Sequence, residues 1–207
     1  MVWDEKEQLS KDEQARSVIK VYDLLQRETT VLYAPDNFEL KSPAIFGNQI
    51  AYLKVKRADP IQDGKRATSD VYLYDLEKGR EIRVTRSGKA EQPAIWNGRV
   101  AWLEDTGSPL GANVFLWESE KNAIQQLTRT GEADLPTLGQ YFLTWHNARL
   151  KMIPVYNFAQ GALAVVDREL AGKPYTAENI LVWLWSDLAQ KEKQQGQWEI
   201  RILQAVP

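Results

Sequence analysis

Three side chains stand where acid–base or cation chemistry could occur. Glu104 and Asp105 follow the apolar run RVAWL, and His146, the one histidine of the chain, follows FLTW. Paired carboxylates with an imidazole can bind a cation or relay a proton, because the imidazole titrates near neutral pH and the carboxylates well below it. The competing reading makes all three polar loop residues that satisfy turn backbone. Their spacing matches no metal-ligand pattern, so neither a metal nor another cofactor is expected. A second constellation is one of charge. Lys54, Lys56, Arg57, Lys65 and Arg66 make one interval basic, and Asp4, Glu5, Glu7, Asp12 and Glu13 make another acidic. Such runs either solvate a surface or line a binding mouth. The basic one lacks interleaved exposed aromatics and is a poor nucleic-acid footprint.

Catalytic vocabulary is otherwise missing. There is no G-x-S-x-G elbow, P-loop or zinc motif. One histidine and no cysteine leave little room for a histidine triad and none for disulfides or thiolate metal sites. The net charge of −2 exerts no pull toward nucleic acid or an anionic membrane. With 43% hydrophobic and 26% charged residues, the chain has an ordinary globular balance. No apolar run approaches the roughly 18 residues of a membrane-spanning helix, so no membrane insertion is expected. The start, MVWDEKEQLSKDEQ, is acidic and lacks the basic head and apolar centre of a signal peptide. If the natural protein is exported, its signal is expected outside this chain.

The elements that must position these residues repeat. Pro43 precedes Tyr52 by nine positions, as Pro93 precedes Trp102, Pro136 precedes Trp145 and Pro174 precedes Trp183. Each stretch reads as a short strand, a tight turn and a second strand. Phe46-Gly47-Asn48 and Trp96-Asn97-Gly98 supply the turn residues that tolerate positive φ. Proline is placed at the start of the first strand, a position that tolerates it. A second pair of strands follows each hairpin, seen in 70–85, 113–128, 153–167 and 17–32, with alternation of period two about a turn. The links T-R-S-G-K-A (85–90) and T-R-T-G-E-A (128–133) also recur. In these links threonine is expected to close the last strand, glycine to allow the bend, and arginine to bridge to a neighbouring unit.

The unit is thus four antiparallel strands, A to D, and the expected fold is an all-β propeller of four-stranded blades. About five blades are expected, over 1–34, 43–86, 93–129, 136–167 and 174–207. A β-sandwich would alternate in the same way but has no reason to repeat one signature four times. Trp3 aligns with the strand-B aromatics without a preceding proline, and 197–203 reads as strand C with no strand D after it. The first and last blades are therefore expected to be incomplete. The expectation is a segment of a larger propeller, or a five-bladed ring of unusual closure. Trp3, Tyr52, Trp102, Trp145 and Trp183 are expected to pack between blades, together with the four prolines. Trp96 and Trp117 lie off that register and are the better candidates for exposure, with a structural role the readier expectation for both.

The proline, the Gly/Asn turn, the aromatic, then D-V-Y-L-Y-D-L-E-K-G and a closing R-V-T resemble the TolB-type, WD40-like β-propeller repeat. The resemblance is best in Pro43–Arg86 and Pro93–Arg129, and partial at both ends. It implies a fold more than a function, since such blades occur in envelope proteins, in binding modules and as gating domains of prolyl-oligopeptidase-like peptidases. A periplasmic or extracellular setting is implied by this resemblance alone.

In a propeller the A–B and C–D turns share one face and the B–C and D–A connections the other. The long B–C loops are expected over 4–16, 54–69, 104–112 and 186–196, and long loops on a rigid scaffold are where binding resides. The resulting expectation is a non-enzymatic binding module that meets a protein or small polar ligand through Glu104, Asp105, His146, Lys54, Lys56 and Arg57. The alternatives are the propeller portion of a larger hydrolase whose catalytic domain lies elsewhere, and a lyase or glycosidase working at the ring mouth, which would need two convergent carboxylates.

Overall fold

A computed structural model describes residues 1–7, 15–57, 67–147, 149–168, 173–186 and 198–205. The described residues form strands and turns, without a helix. The first sheet holds β1 (Val2–Glu7), β2 (Arg16–Asp23) and β3 (Glu28–Tyr33). The second holds β4 (Phe38–Phe46), β5 (Gln49–Lys56), β6 (Thr68–Asp75) and β7 (Arg80–Arg83). The third holds β8 (Ala90–Trp96), β9 (Arg99–Glu104), β10 (Asn113–Glu118) and β11 (Ala123–Gln126). The fourth holds β12 (Ala133–Leu138), β13 (Phe142–Asn147), β14 (Met152–Asn157) and β15 (Ala162–Arg168). The fifth holds β16 (Tyr175–Ala177), β17 (Ile180–Ser186) and β18 (Trp198–Gln204). Every sheet is a meander in which chain neighbours lie side by side.

Burial follows strand order. Val100 to Leu103 in β9 are all buried, so that strand is covered on both faces. The residues of β7 are all exposed. The middle strands are covered on both sides and the last strand lies at a solvated edge. Three of the C–D turns are closed by side chains that mimic backbone. Asp23 Oδ1 accepts from the N–H groups of Leu25 and Gln26, Asp75 Oδ1 from Glu77 and Lys78, and Asn157 Oδ1 from Ala159 and Gln160.

The chain divides into two compact units, Met1–Ile95 and Trp96–Pro207. In the first, Ile19 and Val21 of one sheet pack with Ile50 and Tyr52 of the next, and Tyr72 and Tyr74 join them. In the second, Phe142, Ile153 and Val155 pack with Leu181, Trp183 and Trp185. The strand-B aromatic face of one sheet thus covers the strand-C face of the sheet before it. Each large apolar side chain buried in this way contributes about 1.5–3 kcal/mol.

Two expectations need correction. Pro43, Pro93 and Pro136 stand inside β4, β8 and β12, not at their starts. The preceding residues Ser42, Gln92 and Leu135 have φ of 52°, 48° and 52°, and the pairing register shifts between Lys41 and Ala44 and between Asp134 and Thr137. A bulge interrupts the ladder at those two sites, and a residue without an N–H costs nothing there. Pro174 is buried just before β16. Trp117 is 6% exposed, its Nε1 donating to Asn122 Oδ1 at 3.4 Å, while Trp96 is half-buried. In the repeated link the arginines Arg86 and Arg129 are exposed, and the residues three positions earlier fasten the link to their own blade. Arg83 reaches Asp70 Oδ2 at 2.6 Å and the Thr85 carbonyl at 2.9 Å, and Gln126 donates to the Thr128 carbonyl at 2.8 Å.

Candidate functional site

The candidate residues lie at the B–C and D–A end of the sheets, in two groups, one per unit. In the first unit, Lys54 and Lys56 are strand residues and not loop residues. β5 pairs along its whole length, with Lys54 opposite Asp70 and Lys56 opposite Thr68. Lys54 Nζ lies 2.6 Å from Glu81 Oε1 and 4.2 Å over the Tyr72 ring. The Tyr52 hydroxyl donates to the same Glu81 carboxylate. Burial first, and then that bond, push the Tyr52 phenol above its ordinary range, so it serves as a fixed donor. Lys56 is exposed. Arg57 donates its backbone N–H to the Asn37 carbonyl at 2.9 Å, and its guanidinium lies 3.5 Å from Glu39. Arg57 and Arg16, with Ser17, Asp36 and Asn37, line a polar cleft of about 260 Å³.

The acidic run is likewise mostly strand. Asp4, Glu5 and Glu7 lie in β1, where Glu5 and Glu7 hold Lys20 Nζ at 2.6 and 3.1 Å and Asp4 accepts from the Ser42 N–H at 3.2 Å. Lys20 and the indole of Trp3, which donates to Glu5 at 2.9 Å, hold the Glu5 carboxyl below its usual range. Asp12, Glu13, Lys65 and Arg66 lie outside the described residues.

In the second unit, Glu104 closes β9 and accepts from Trp102 Nε1 at 3.2 Å. Asp105 accepts from the Gly107 N–H at 2.8 Å, an Asx turn. His146 lies within β13 instead of after it, opposite Asp134 of β12. The hydrogen bonds of Glu104 and Asp105 are therefore local, and His146 has a different carboxylate neighbour. Burial first, with Lys173 adding to it and Asp134 opposing, pushes the His146 imidazole below its ordinary range. It is neutral at pH 7. No group of three or more metal-ligating side chains is found among the described residues.

The chain reading missed a buried acid beside this pair. The Glu132 side chain is 3% exposed, ion-paired to Arg149, and its Oε2 accepts from Asn147 Nδ2 at 3.3 Å. The signal lay in the repeated link, where Glu132 holds the place that Lys89 holds in the previous repeat. The segment between β9 and β10 folds back on this link. Glu132 N–H donates to the Leu110 carbonyl at 3.1 Å, Ala133 N–H to Ala112 at 3.2 Å, and Ser108 Oγ to Thr130 at 3.2 Å. The charged groups are thereby set on a fixed backbone.

Solved structures share this architecture. TolB from Acinetobacter baumannii superposes with a TM-score of 0.57 at 13% identity, over 91% of this chain and 46% of that one. The β-propeller domain of the Trilobed protease from Pyrococcus furiosus gives 0.60 at 13% identity, over 82% and 55%. An oligogalacturonate lyase in complex with manganese gives 0.60 at 11% identity, over 83% and 56%. The chain has a TolB-like β-propeller fold. Each sheet is a blade, and identities this low carry the fold alone. The chain spans about half the length of these three structures. No protein-family model matches the sequence, and no curated protein matches it. In this TolB-like arrangement β1, β5, β9, β13 and β17 are the B strands, so Trp3, Tyr52, Trp102, Trp145 and Trp183 occupy one repeated position. Tyr52, Trp102, Trp145 and Trp183 are 2%, 1%, 2% and 6% exposed, whereas Trp3 is half-buried.

Proposed function

We propose that this TolB-like propeller is a non-enzymatic recognition module that meets a protein or a small polar ligand with the B–C and D–A ends of its blades. The observation that carries this reading is the unlike chemistry of the two blade ends. The C–D turns are short, and in three of the four among the described residues the polar group of Asp23, Asp75 or Asn157 is taken up by the turn's own backbone. The opposite ends hold the Arg16–Arg57 cleft in one unit and the Asp134, His146, Glu132 and Arg149 group in the other. Charged groups held on paired strands and braced loops are preorganised, which lowers the ordering cost of binding.

A photo-crosslinking residue placed at Arg57 or Asp105 tests this reading against the same residue at Glu77 or Glu120 on the turn ends. Saturable adducts are expected from the first pair only, in extracts of the source cells. Equal yields from both pairs, or adducts from neither, would sink the reading.

A further inference from the structure

The B-strand aromatic of the first blade, Trp3, is opposite Lys20 and keeps only the carboxylate of Glu5. Those of the second and third blades have two companions, and that of the fifth a related pair. One is a planar group on strand C. Tyr52 is opposite Tyr72, with ring centroids 6.2 Å apart and planes inclined by 27°. Trp102 is opposite Phe115 at 5.8 Å and 15°. Trp183 is opposite Arg201, whose guanidinium lies 3.9 Å over the Trp185 ring. The other companion is a carboxylate that accepts the polar hydrogen. Glu81 takes it from Tyr52, Glu104 from Trp102 at 3.2 Å, and Asp167 from Trp183 at 2.8 Å.

The fourth blade has neither. Trp145 is 2% exposed. The pairs Thr144–Val155 and Asn147–Met152 bracket it, which puts Pro154 in the strand-C position. A pyrrolidine ring offers no π face. Among the described residues no acceptor meets the Trp145 Nε1–H, and that nitrogen is not among the sealed polar atoms. Beside Trp145 and Pro154 there is an open cleft of about 290 Å³, walled also by Met152, Leu163 and Val165 and rimmed by Thr128 and Asn147. An apolar cavity of about 150 Å³ accepts benzene, so this cleft has room for a substituted ring. Asn147 is bonded to the Glu132 carboxylate, whose charge Arg149 already meets. No lysine or arginine stands among the residues that line this space, so an anionic substituent would enter without a partner.

We propose that this cleft binds a small, uncharged aromatic compound bearing a carbonyl oxygen. Its ring takes the place of the missing strand-C ring beside Trp145, and its oxygen accepts the Nε1 hydrogen at the indole edge. The proposal is independent of the partner met by the blade ends.

Benzamide is the probe, titrated into the ¹⁵N-labelled full chain. The protein has eight tryptophans, and the Trp145 indole signal is the one lost in Trp145→Phe. That signal is expected to move and saturate with a Kd of roughly 0.1–1 mM, the range open to so small a ligand. Cyclohexanecarboxamide and benzoate should bind at least about tenfold more weakly, a difference of about 1.4 kcal/mol. Pro154→Phe restores the repeat's own ring and should abolish the shift. Lack of a saturable shift in the wild type overturns the proposal, whether or not Pro154→Phe folds. So does equal binding of cyclohexanecarboxamide, or of benzoate, or unchanged benzamide binding by a folded Pro154→Phe. A capped phenylalanine peptide that binds more tightly than benzamide assigns the slot to a partner's side chain and overturns the small-molecule reading.

Discussion

Thr85 and Thr128 each tie three segments together through one hydroxyl. Thr85 Oγ1 donates to Asp70 Oδ1 at 2.9 Å and accepts from the Val71 N–H at 2.9 Å, and the same Asp70 oxygen accepts from Gly88 N–H at 3.1 Å. Thr128 does the same with Asn113 and Val114, and Asn113 Oδ1 accepts from Gly131 N–H at 2.9 Å. The Asp-to-Asn change between repeats keeps the acceptor oxygen, which is the atom the node needs. Thr85→Val leaves a buried N–H and a carboxylate oxygen short of a partner, and should cost about 1–3 kcal/mol in urea unfolding, with Thr85→Ser losing much less. Equal stability of the valine and serine variants would show the hydroxyl to be idle. His146 makes a second prediction at this scale. Burial holds its folded pKa below the ordinary 6.5, so the unfolded chain takes up the proton first as pH falls. Stability is fully present above about 6.5 and declines as pH drops toward the folded pKa. Asp23, Glu39 and Asp75 are held below their usual range, starting from 3.8, 4.5 and 3.8, and act at lower pH. Thermal melts between pH 5 and 7, the rough window of histidine titration, should therefore slope in the wild type and flatten in His146→Gln. An identical slope in the variant would rule out His146 as the cause.

At the scale of the element, the strand-A bulge is the recurrent device. Ser42 is exposed at φ 52°, a conformation that costs an L-residue about 1–2 kcal/mol. Ser42→Val adds β-branching there and should destabilise by about 1 kcal/mol or more, while Ser42→Gly should be neutral or slightly stabilising. Chemical denaturation of both variants checks this, and a valine variant as stable as glycine would contradict the strain. The same bulge marks where sequence reasoning reached its limit. Strand order and hairpin turns were legible because alternation and turn chemistry are local properties of the chain. Proline spacing was legible too, but its place within the strand depends on a register shift against the partner strand. Lys54 and Glu104 read as loop residues because charge usually marks solvent. Their partners, Glu81 and the Trp102 indole, are reached across the ladder or along one strand face. His146 was legible as a candidate, whereas Asp134, Glu132 and Arg149 were not, since their meeting depends on pairing β12 with β13 and on where the β13–β14 connection lies.

For the molecule as a whole, the blade surfaces divide into covered and uncovered faces. In the first unit the strand-C face bearing Ile19 and Val21 is covered by the next blade's Ile50 and Tyr52. The corresponding face of β17 and β18 is uncovered among the described residues. Leu184 stands opposite Ile200, and Val182 opposite both Ile202 and Tyr175, so these side chains share one face. Tyr175, Leu184, Ile200 and Ile202 are 66%, 44%, 68% and 65% exposed. Apolar side chains grouped in this way drive association, because each one covered returns about 25 cal/mol per Å² of apolar surface. The isolated chain should therefore self-associate as its concentration rises, and more strongly at high salt, where sulfate or phosphate strengthens apolar burial. Replacing Ile200 and Ile202 with lysine places two charges on that face without touching Trp183 or Trp185, which face the neighbouring blade. Sedimentation velocity should show the wild type shifting to larger species with concentration and the double variant remaining monomeric, with the same melting temperature at low concentration. A double variant that associates as readily as the wild type would place the contact elsewhere. A wild type that stays monomeric throughout would show that the open face is too weak, alone, to hold a second copy.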